Sequence, residues 1–422
     1  MRRRALLVIV AAAVVAVTPT KIDDCCCEME TVDLANQDQL HATLQRLRET
    51  RFFRIFQVNL DNECQFWQGY SMCHSPGCSV CECEDDDIPP LWKAGTELDT
   101  GLPSFRHWTE KDDSWIVQDT GNSEHVAGVL AAGSHLRSVT FIDLQRNPEG
   151  YTGYTGESAR KVWAAMYGEN CFQEDMSSMC YEKRVFYRLL SGMQACIAAH
   201  VSFNHPLGEG LEWGPEPHVF DRMLGNHPNR IQNMYFTYVF LLRAVNKVSP
   251  HLLNYDFHTG NNDAEDQRVD ALLRALLASP MIQQCSPEHS FDERIMFQDL
   301  AMGSIKTQLK NHFRNLSLIL DCVQCDKCKV HGKLQVLGLG TALKILFNNP
   351  QKLTRNEIIA LINTLGKFSH GLWIVNEMQH LAKLSWTRVA IVVGVCTLAF
   401  WSACCLFIRL WIVRHRMKAK TD

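Results

Sequence analysis

The feature that most constrains this chain is a run of three cysteines spaced three residues apart: Cys322, Cys325 and Cys328. Apolar-rich stretches on either side, residues 313–320 and 338–347, are predicted helices, and within one helix this spacing would place the sulfurs on one side. A Cys-x-x-Cys pair at or near a helix start favours thiolate, because the helix amides and Lys327 are positive. Thiolate is the nucleophile of disulfide exchange, so the run indicates a redox element. Half of a zinc site, with His331 close by, is the alternative interpretation.

Size and charge exclude little, but the cysteine content is informative. The chain has 422 residues, which is enough for one large domain or two ordinary ones. A net charge of -4 produces no overall field for nucleic acid, and we predict no nucleic-acid partner. Eighteen cysteines would be disulfides in an oxidising compartment, and metal ligands or thiols in a reducing one.

The two termini decide between these compartments. Residues 1–20 combine an arginine-rich start with an apolar run at 5–17, the pattern of a signal peptide, with an uncleaved anchor as the alternative. Residues 389–408 carry no charge and are long enough to cross a bilayer as one helix. The basic tail at 409–422 is predicted to be cytosolic, which makes residues 21–385 luminal.

The last residues of the tail point to a particular membrane. Lys418 and Lys420 stand at the fifth and third positions from the C-terminus. That spacing resembles the dilysine retrieval signal of endoplasmic reticulum membrane proteins, whereas a plain stop-transfer cluster would explain the charge alone. We therefore expect an endoplasmic reticulum membrane protein with a luminal main domain.

The luminal part divides into a cysteine-rich segment, residues 21–135, and a helical core, residues 136–385. The fold class that we predict is all-α: a single helical bundle stapled by disulfides, with one C-terminal transmembrane helix. Apolar residues near a 3.6-residue period predict the following helices: 37–56, 159–167, 183–202, 230–248, 264–278, 291–320 and one or two within 353–380. Residues 62–92, with five cysteines, glycine and proline, are predicted to be a mobile loop.

Several segments, in this order and at this spacing, resemble the endoplasmic reticulum oxidoreductins. These are flavin-dependent thiol oxidases that make disulfides for protein disulfide isomerase. The resemblance covers residues 22–370 and is carried by these segments: Asn62–Trp67, Tyr151–Tyr154 with Trp163, Glu182–Gly192, Asn233–Phe236 with Leu242–Ala244, and His312–Ser317 leading into the cysteine run.

The resemblance implies a helical bundle that holds FAD beside an inner cysteine pair, Cys325 and Cys328. Cys328 would lie against the isoalloxazine, and Cys325 would exchange with an outer, shuttle pair. Within the family pattern the outer pair is Cys73 and Cys78. Cys81 and Cys83 form a Cys-x-Cys that is an alternative shuttle, so the choice between the two pairs stays open.

The resemblance also implies two structural disulfides, Cys64 to Cys322 and Cys171 to Cys180. The partners of the three adjacent cysteines at 25–27 stay undetermined. No cysteine lies in residues 93–135, so the family's regulatory disulfide from Cys73 to that loop is not expected to form.

The FAD contacts carry over position by position. Thr152 and Trp163 match the adenine and ribose side, Ser191 matches a further contact, and Arg230 with Arg243 matches two arginines that meet the pyrophosphate. Arginine suits that role through its fork of donors. Two positions depart from the family pattern. Gly150 replaces an arginine, although Arg146 is close in sequence, and Gln194 replaces a histidine.

Together these features predict a luminal oxidase of dithiols. Electrons would pass from reduced protein disulfide isomerase, or a related thioredoxin-fold protein, through the outer pair, the inner pair and FAD to molecular oxygen, giving hydrogen peroxide. We expect no bound metal. The alternatives are a zinc-stapled, membrane-anchored binding protein without catalysis and an inert disulfide-rich ectodomain. Asn315, in an Asn-x-Ser sequon, is a candidate glycosylation site under each interpretation.

Overall fold

The computed structural model describes residues 22, 27–64, 66, 77–93, 140–149, 156–169, 179–207, 212–260, 263–284, 296–297, 300–348 and 353–418. Within these ranges the α-helices are α1 Met29–Ala35, α2 His41–Arg48, α3 Arg51–Arg54, α4 Pro90–Lys93, α5 Gly156–Glu169, α6 Tyr181–Phe203, α7 Pro217–Phe220, α8 Pro228–Leu253, α9 Asp263–Leu277, α10 Pro280–Gln284, α11 Leu300–Leu320, α12 Asp326–Asn348 and α13 Arg355–Lys418. Two π-helical segments, Asn36–Leu40 and Asp221–Gly225, join α1 to α2 and α7 towards α8.

The core consists of long helices that are apolar on more than one face. Helices α6, α8, α12 and the first half of α13 pack against one another, and most of their residues are buried. Two glycines permit the closest approaches. A Cβ at Gly192 of α6 would collide with Thr237 of α8, and one at Gly338 of α12 would collide with Thr364 of α13. The inner cysteines therefore stand on a rigid, tightly packed helical layer.

The N-terminal helices are part of this core. Asn36 donates to the Ser369 carbonyl of α13 at 2.9 Å, and Asn363 of α13 donates to the Phe53 carbonyl at 2.7 Å. Both bonds join residues more than three hundred positions apart in sequence. The cysteine-rich segment that follows is consequently tethered to the core from its N-terminal side.

The prediction of one helix over residues 37–56 is wrong at its C-terminal end. The helix stops at Arg48, a short turn of helix follows, and residues Ile55–Val58 form strand β1. This strand pairs antiparallel with β2, Thr140–Asp143, in the register Ile55 to Asp143. The long-range partner overrides the local helical pattern, because a four-residue strand has no periodicity that distinguishes it from helix.

The expectation of a mostly helical fold is confirmed, with a small correction to the class. Besides β1 and β2, a second two-stranded antiparallel sheet joins β3, His205–Pro206, to β4, Trp213–Gly214. Helix α11 begins at Leu300, later than the predicted residue 291, and the predicted helices of 353–380 are one helix that continues to Lys418.

Helix α13 has two apolar stretches with opposite surroundings. Residues 355–381 are mostly buried and form the central helix of the core. Residues 393–412 are also long and apolar enough to cross a membrane, but none of them is buried within the protein. Their large side chains are exposed, as for Phe400 at 69% and Trp401 at 70%. One helix thus continues from the packed core into an exposed apolar stretch, residues 393–412.

Candidate functional site

The inner cysteines lie where α11 ends and α12 begins. Helix α11 stops at Leu320, the chain turns, and α12 starts at Asp326. Cys325 is the residue immediately before the helix, and Cys328 is in its first turn. Both are 0% exposed. The three cysteines are not within one helix, because Cys322 lies in the connection and Cys325 precedes α12, whereas the predicted position of the Cys-x-x-Cys pair at a helix start is confirmed.

Two disulfides converge on this connection. Cys64 is joined to Cys322 with a Cα–Cα distance of 4.4 Å, which is the pairing that the resemblance implies. Cys78 is joined to Cys325 with a Cα–Cα distance of 4.7 Å. The second bond links a cysteine of the expected outer pair to a cysteine of the expected inner pair, over 247 residues of sequence.

The chain around Cys78, residues 78–83, lies docked on the core, and we call it the outer segment. The Lys327 N–H of α12 donates to the Cys78 carbonyl at 3.0 Å. The Cys83 N–H donates to the Phe141 carbonyl of β2 at 2.8 Å, and Glu82 forms a bridge with Ile142. The outer segment therefore pairs with the edge of β2 through a single β-bridge.

Gly77, the residue immediately before the outer segment, has a left-handed backbone conformation. Gly77 has a φ of 75°, and a Cβ placed there would meet nothing within 4 Å. The left-handed conformation is accessible to glycine without steric penalty. The chain thus changes direction just where it enters the outer segment.

Cys81 and Cys83 differ from Cys78 in their surroundings. Cys81 is exposed, and Cys83 is half-buried. Burial, together with the neighbouring carboxylates of Asp143 and Asp87, raises the pKa of the Cys83 thiol to about 11. Because a thiol is a weak nucleophile until it loses its proton, Cys83 is poorly suited to disulfide exchange near neutral pH.

A small apolar cavity opens beside the start of α12. Its lining comes from four helices, α5, α6, α11 and α12, and from the connection after α11: Ala159, Val162, Trp163, Met166, Met193, Ile197, Leu320, Val323 and Gly332. Gly332 lies four residues after Cys328, so the two share a face of α12. The cavity thus borders the helix face that carries an inner cysteine, and its lining is mostly apolar.

One of the expected FAD contacts lines this cavity, and three others lie near Tyr167 of α5. Trp163 of α5 lines it, and Ser191 and Gln194 lie on α6, on either side of Met193. Tyr167 donates to the Gln194 amide oxygen at 2.8 Å, and Arg230 lies near enough to influence the Tyr167 pKa.

Arg243 is separate from that group. Arg230 and Arg243 both belong to α8, and thirteen residues of helix span about 20 Å. The role of both arginines at the pyrophosphate stays a prediction. Arg243 is 2% exposed.

Arg146 does not replace the arginine missing at Gly150. Its guanidinium pairs with Asp87 at 2.6 Å and lies 3.9 Å from Asp143, on the exposed surface next to the outer segment. Those two carboxylates account for its position.

Several predicted residues lie outside the part of the chain that the structure describes: Cys25, Cys26, Cys73, Gly150, Thr152 and Cys171. Cys180, the expected partner of Cys171, is half-buried and is the residue immediately before α6.

Three further residues of the site region gave no signal in the sequence. Arg188 of α6 is buried and donates to the Asn233 amide oxygen at 2.9 Å, while Asn233 donates to Ser191 at 2.9 Å. Tyr167 contacts Gln194, as described above. Asn147 is 0% exposed and contacts the outer segment. Each acquires its partners only through long-range packing, so spacing along the chain could not single it out.

The residues that a zinc site would need make other contacts in this structure. His331 donates from Nε2 to the Asn147 carbonyl at 2.8 Å, and Cys325 is bonded to Cys78. In the described ranges no group of three or more histidine, cysteine or acidic side chains could hold a metal ion.

The sequon at Asn315 lies inside α11. Ser317 is 6% exposed, and Asn315 is half-buried. A glycan on Asn315 would have to be accommodated against the packed face of this helix.

Fold and site together define a helical thiol–disulfide oxidoreductase with a buried cysteine pair and a third cysteine bonded to one member of that pair. The family model described as Endoplasmic Reticulum Oxidoreductin 1 (ERO1) matches residues 39–375, and the chain belongs to this family. As the family does, it acts as a thiol oxidase of the endoplasmic reticulum. The zinc-stapled binding protein is not favoured.

Named relatives agree with this assignment. Endoplasmic reticulum oxidoreductin-1 of Arabidopsis thaliana is 39% identical over 390 residues, covering 85% of this chain and 79% of the relative. ERO1-like protein alpha of Homo sapiens is 33% identical, covering 86% of this chain and 90% of the relative. A solved structure of S. cerevisiae Ero1p superposes with a TM-score of 0.60 at 27% identity, covering 85% of this chain and 99% of that one.

Proposed function

We propose that this oxidase takes electron pairs from protein disulfide isomerase, or from a related thioredoxin-fold protein, through Cys73/Cys78 to Cys325/Cys328. FAD, when bound, would accept the electron pair of the inner dithiol and pass it to molecular oxygen as hydrogen peroxide. The single observation that carries this route is the disulfide between Cys78 and Cys325. It has the connectivity of a mixed disulfide caught between the two pairs.

The exchange between the pairs balances through two displacements. After the outer disulfide has oxidised a partner dithiol, the Cys78 thiolate attacks Sγ of Cys325, and Cys328 leaves as thiolate. The Cys73 thiolate then attacks Sγ of Cys78, and Cys325 leaves as thiolate. Two electrons and two protons have then moved from the outer to the inner pair. The Cys78–Cys325 disulfide has the connectivity expected of the state between these displacements, which supports the route.

The protein contributes position and electrostatics to the first displacement. The departing Cys328 sulfur lies in the first turn of α12, where the partial positive charge of the helix N-terminus favours a thiolate. Both inner cysteines are completely buried, so the thiols of a protein substrate cannot reach them from solvent. A protein substrate therefore needs the outer pair as an intermediary.

Cys73/Cys78 is a better outer pair than Cys81/Cys83 on two grounds. Cys78, not Cys81 or Cys83, is bonded to Cys325. Cys83 also has a raised pKa and a backbone N–H bonded to β2. Exchange through Cys81/Cys83 would require the backbone of the outer segment to separate from β2.

The proposal of FAD is supported by the residues near the inner pair. The apolar cavity lies beside the α12 face of Cys328 and is lined by Trp163, whereas Ser191, Gln194 and Arg230 lie near Tyr167 of the same helix as Trp163. Gln194 accepts from Tyr167 through its oxygen, which leaves its amide N–H groups as donors towards a ligand. Gln194 can therefore supply a hydrogen bond where a histidine would, without a cation. Thr152 and Arg243 complete the proposed contacts.

The exposed apolar stretch of α13 supports attachment to a membrane. Residues 393–412 expose leucine, phenylalanine and tryptophan side chains that water would solvate poorly, and a bilayer would cover them. We propose that these residues, overlapping the predicted span 389–408, anchor the catalytic domain, residues 21–385, to the endoplasmic reticulum membrane. The basic tail would be cytosolic, with its dilysine signal. Resistance to alkaline carbonate extraction, and protease digestion of the tail alone in sealed microsomes, would test this arrangement.

The test of the catalytic route is oxygen consumption by the full-length chain in detergent, with two substrates. Reduced protein disulfide isomerase requires the complete route, and dithiothreitol is small enough to reach inner sites directly. We expect flavin absorption bands that persist through gel filtration and bleach with excess dithiol. A folded protein without these bands would contradict the role of FAD.

A further inference from the structure

The outer segment is held by the buried side chain of Asn147. This residue takes part in no bond-making step of the exchange reaction, and no sequence motif points to it. The Asn147 amide oxygen accepts from the Cys81 N–H at 2.7 Å, and the Asn147 amide nitrogen donates to the Cys81 carbonyl at 2.8 Å. One amide thus binds both polar groups of one residue, as a neighbouring strand would. Asparagine suits this because its side chain carries a donor and an acceptor in the geometry of a peptide.

The same residue is bonded to the helix of the inner pair. The Asn147 carbonyl accepts from His331 Nε2 at 2.8 Å, and His331 lies on α12, three residues after Cys328. Asn147 also donates from its amide to the Asp143 carbonyl of β2 at 3.0 Å. It therefore lies between the strand that pairs with the outer segment and the helix that carries the inner cysteines.

These contacts form a closed circuit with the disulfide. The circuit runs from Cys325 along α12 to His331, across Asn147 to Cys81, and back along three residues to Cys78, which is bonded to Cys325. Three residues of extended chain span at most about 11 Å. Holding Cys81 in place consequently confines the Cys78 sulfur to a small volume that contains Cys325.

We propose that Asn147 is a positioning residue for exchange between the two cysteine pairs: it holds the outer segment so that the Cys78 thiolate is delivered to Cys325. This deepens the exchange route given above and rests on it. Confinement raises the effective concentration of Cys78 at Cys325 without contact between Asn147 and either sulfur. The hydrogen bonds are also few enough to break when the outer pair turns to a protein partner.

Removal of the Asn147 amide should lower the equilibrium population of the mixed disulfide. We would measure it in a Cys73→Ala background, where Cys78–Cys325 cannot be resolved by Cys73. Cross-linked peptides would be quantified by mass spectrometry of the full-length chain after a non-reducing digest. Gel mobility is less informative, because the Cys64–Cys322 bond closes a loop of nearly the same length.

With Asn147→Ala in that background, the ratio of cross-linked to uncross-linked Cys78 should fall about thirtyfold, the effect of losing two hydrogen bonds of about 1 kcal/mol each. The matched control is Asn363→Ala. That buried amide also makes three hydrogen bonds, to Phe53, Ile359 and Arg48, away from the outer segment. It controls for loss of stability, and its cross-link ratio should stay that of the parent.

A second readout separates positioning from general damage. With all cysteines present, Asn147→Ala should lower the ratio of the rate with reduced protein disulfide isomerase to the rate with dithiothreitol, and Asn363→Ala should not.

The outcomes distinguish the two levels of inference. An unchanged cross-link ratio in Asn147→Ala, with the cross-link abundant in the parent, would overturn the positioning role and leave the exchange route intact. An equal fall in Asn147→Ala and Asn363→Ala would overturn it as well. Absence of the Cys78–Cys325 peptide from the Cys73→Ala parent would overturn both the route and the positioning role.

Discussion

The inner cysteine pair and the outer segment are held in place by different kinds of interaction. Cys325 and Cys328 are completely buried at the start of a helix that packs tightly on α13. The outer segment lies at a sheet edge with Cys81 exposed, and backbone hydrogen bonds and one asparagine attach it. Apolar packing is lost only by unfolding, whereas each hydrogen bond contributes about 1 kcal/mol and can be exchanged for water. The difference suits a relay in which one pair must stay fixed and the other must move.

Removal of either inner sulfur should have the largest effect. Cys325→Ser and Cys328→Ser should reduce oxygen consumption to background with both protein disulfide isomerase and dithiothreitol, because both substrates deliver their electrons through the proposed inner pair. An oxygen electrode provides the measurement. Residual oxidation of dithiothreitol by Cys328→Ser at more than a few per cent of the parent rate would mean that another thiol can replace the inner pair.

Removal of the outer sulfur should affect only one substrate class. Cys78→Ser should slow oxidation of reduced protein disulfide isomerase by about a hundredfold, the advantage of a positioned nucleophile, and should slow dithiothreitol oxidation far less. Cys83→Ser is the matched control from the same segment, and it should change both rates by less than about twofold, since its thiol is poorly ionised. If the two variants were equally impaired with the protein substrate, the inner and outer regions would not divide the work as described.

The rigidity of the inner region can be tested by adding one methyl group. Gly338→Ala puts a Cβ into Thr364 and the Ala360 carbonyl of α13, and it should destabilise the protein by about 1–3 kcal/mol. Gly168→Ala, on α5 with nothing within 4 Å, should have no such cost and should gain up to about 1 kcal/mol of helix propensity. Chemical denaturation of both variants measures the difference. Equal stabilities would contradict the close approach of α12 and α13.

The smallest expected effect is on the reactivity of Cys83. Because its pKa is raised to about 11, its thiolate fraction at pH 8 is about one in a thousand, and alkylation should accelerate about tenfold per pH unit towards pH 11. Iodoacetamide labelling followed by mass spectrometry at several pH values tests this. A labelling rate that levels off near pH 9 would mean that Cys83 is as ionisable as an ordinary thiol, which would revive the Cys81/Cys83 shuttle.

Much of the helical core could be predicted from local pattern. Helices α5, α6, α8 and α9 coincide with predicted helices to within a few residues, because their apolar faces repeat every turn. The strand Ile55–Val58 could not be predicted in this way. Its four residues are strand only because Thr140–Asp143 pairs with them, and that partner lies more than eighty residues away.

The two apolar stretches of α13 illustrate the same division. By hydropathy alone, residues 355–381 and 393–412 both qualify as membrane spans. Tertiary packing buries the first in the core and leaves the second uncovered. Composition reports how apolar a helix is, but only the surrounding helices determine whether protein already covers it.

The sequence by itself determined which cysteines are available for redox chemistry, how they are spaced, and which segments resemble a known oxidase. The tertiary structure decided which of those cysteines meet. Cys78 reaches Cys325, and Cys64 reaches Cys322, across roughly 250 residues. Asn147 gains its role only because it is folded between Cys81 and His331. The physical reason is that a disulfide or a hydrogen bond depends on distance in space, and local sequence does not specify distance between remote segments.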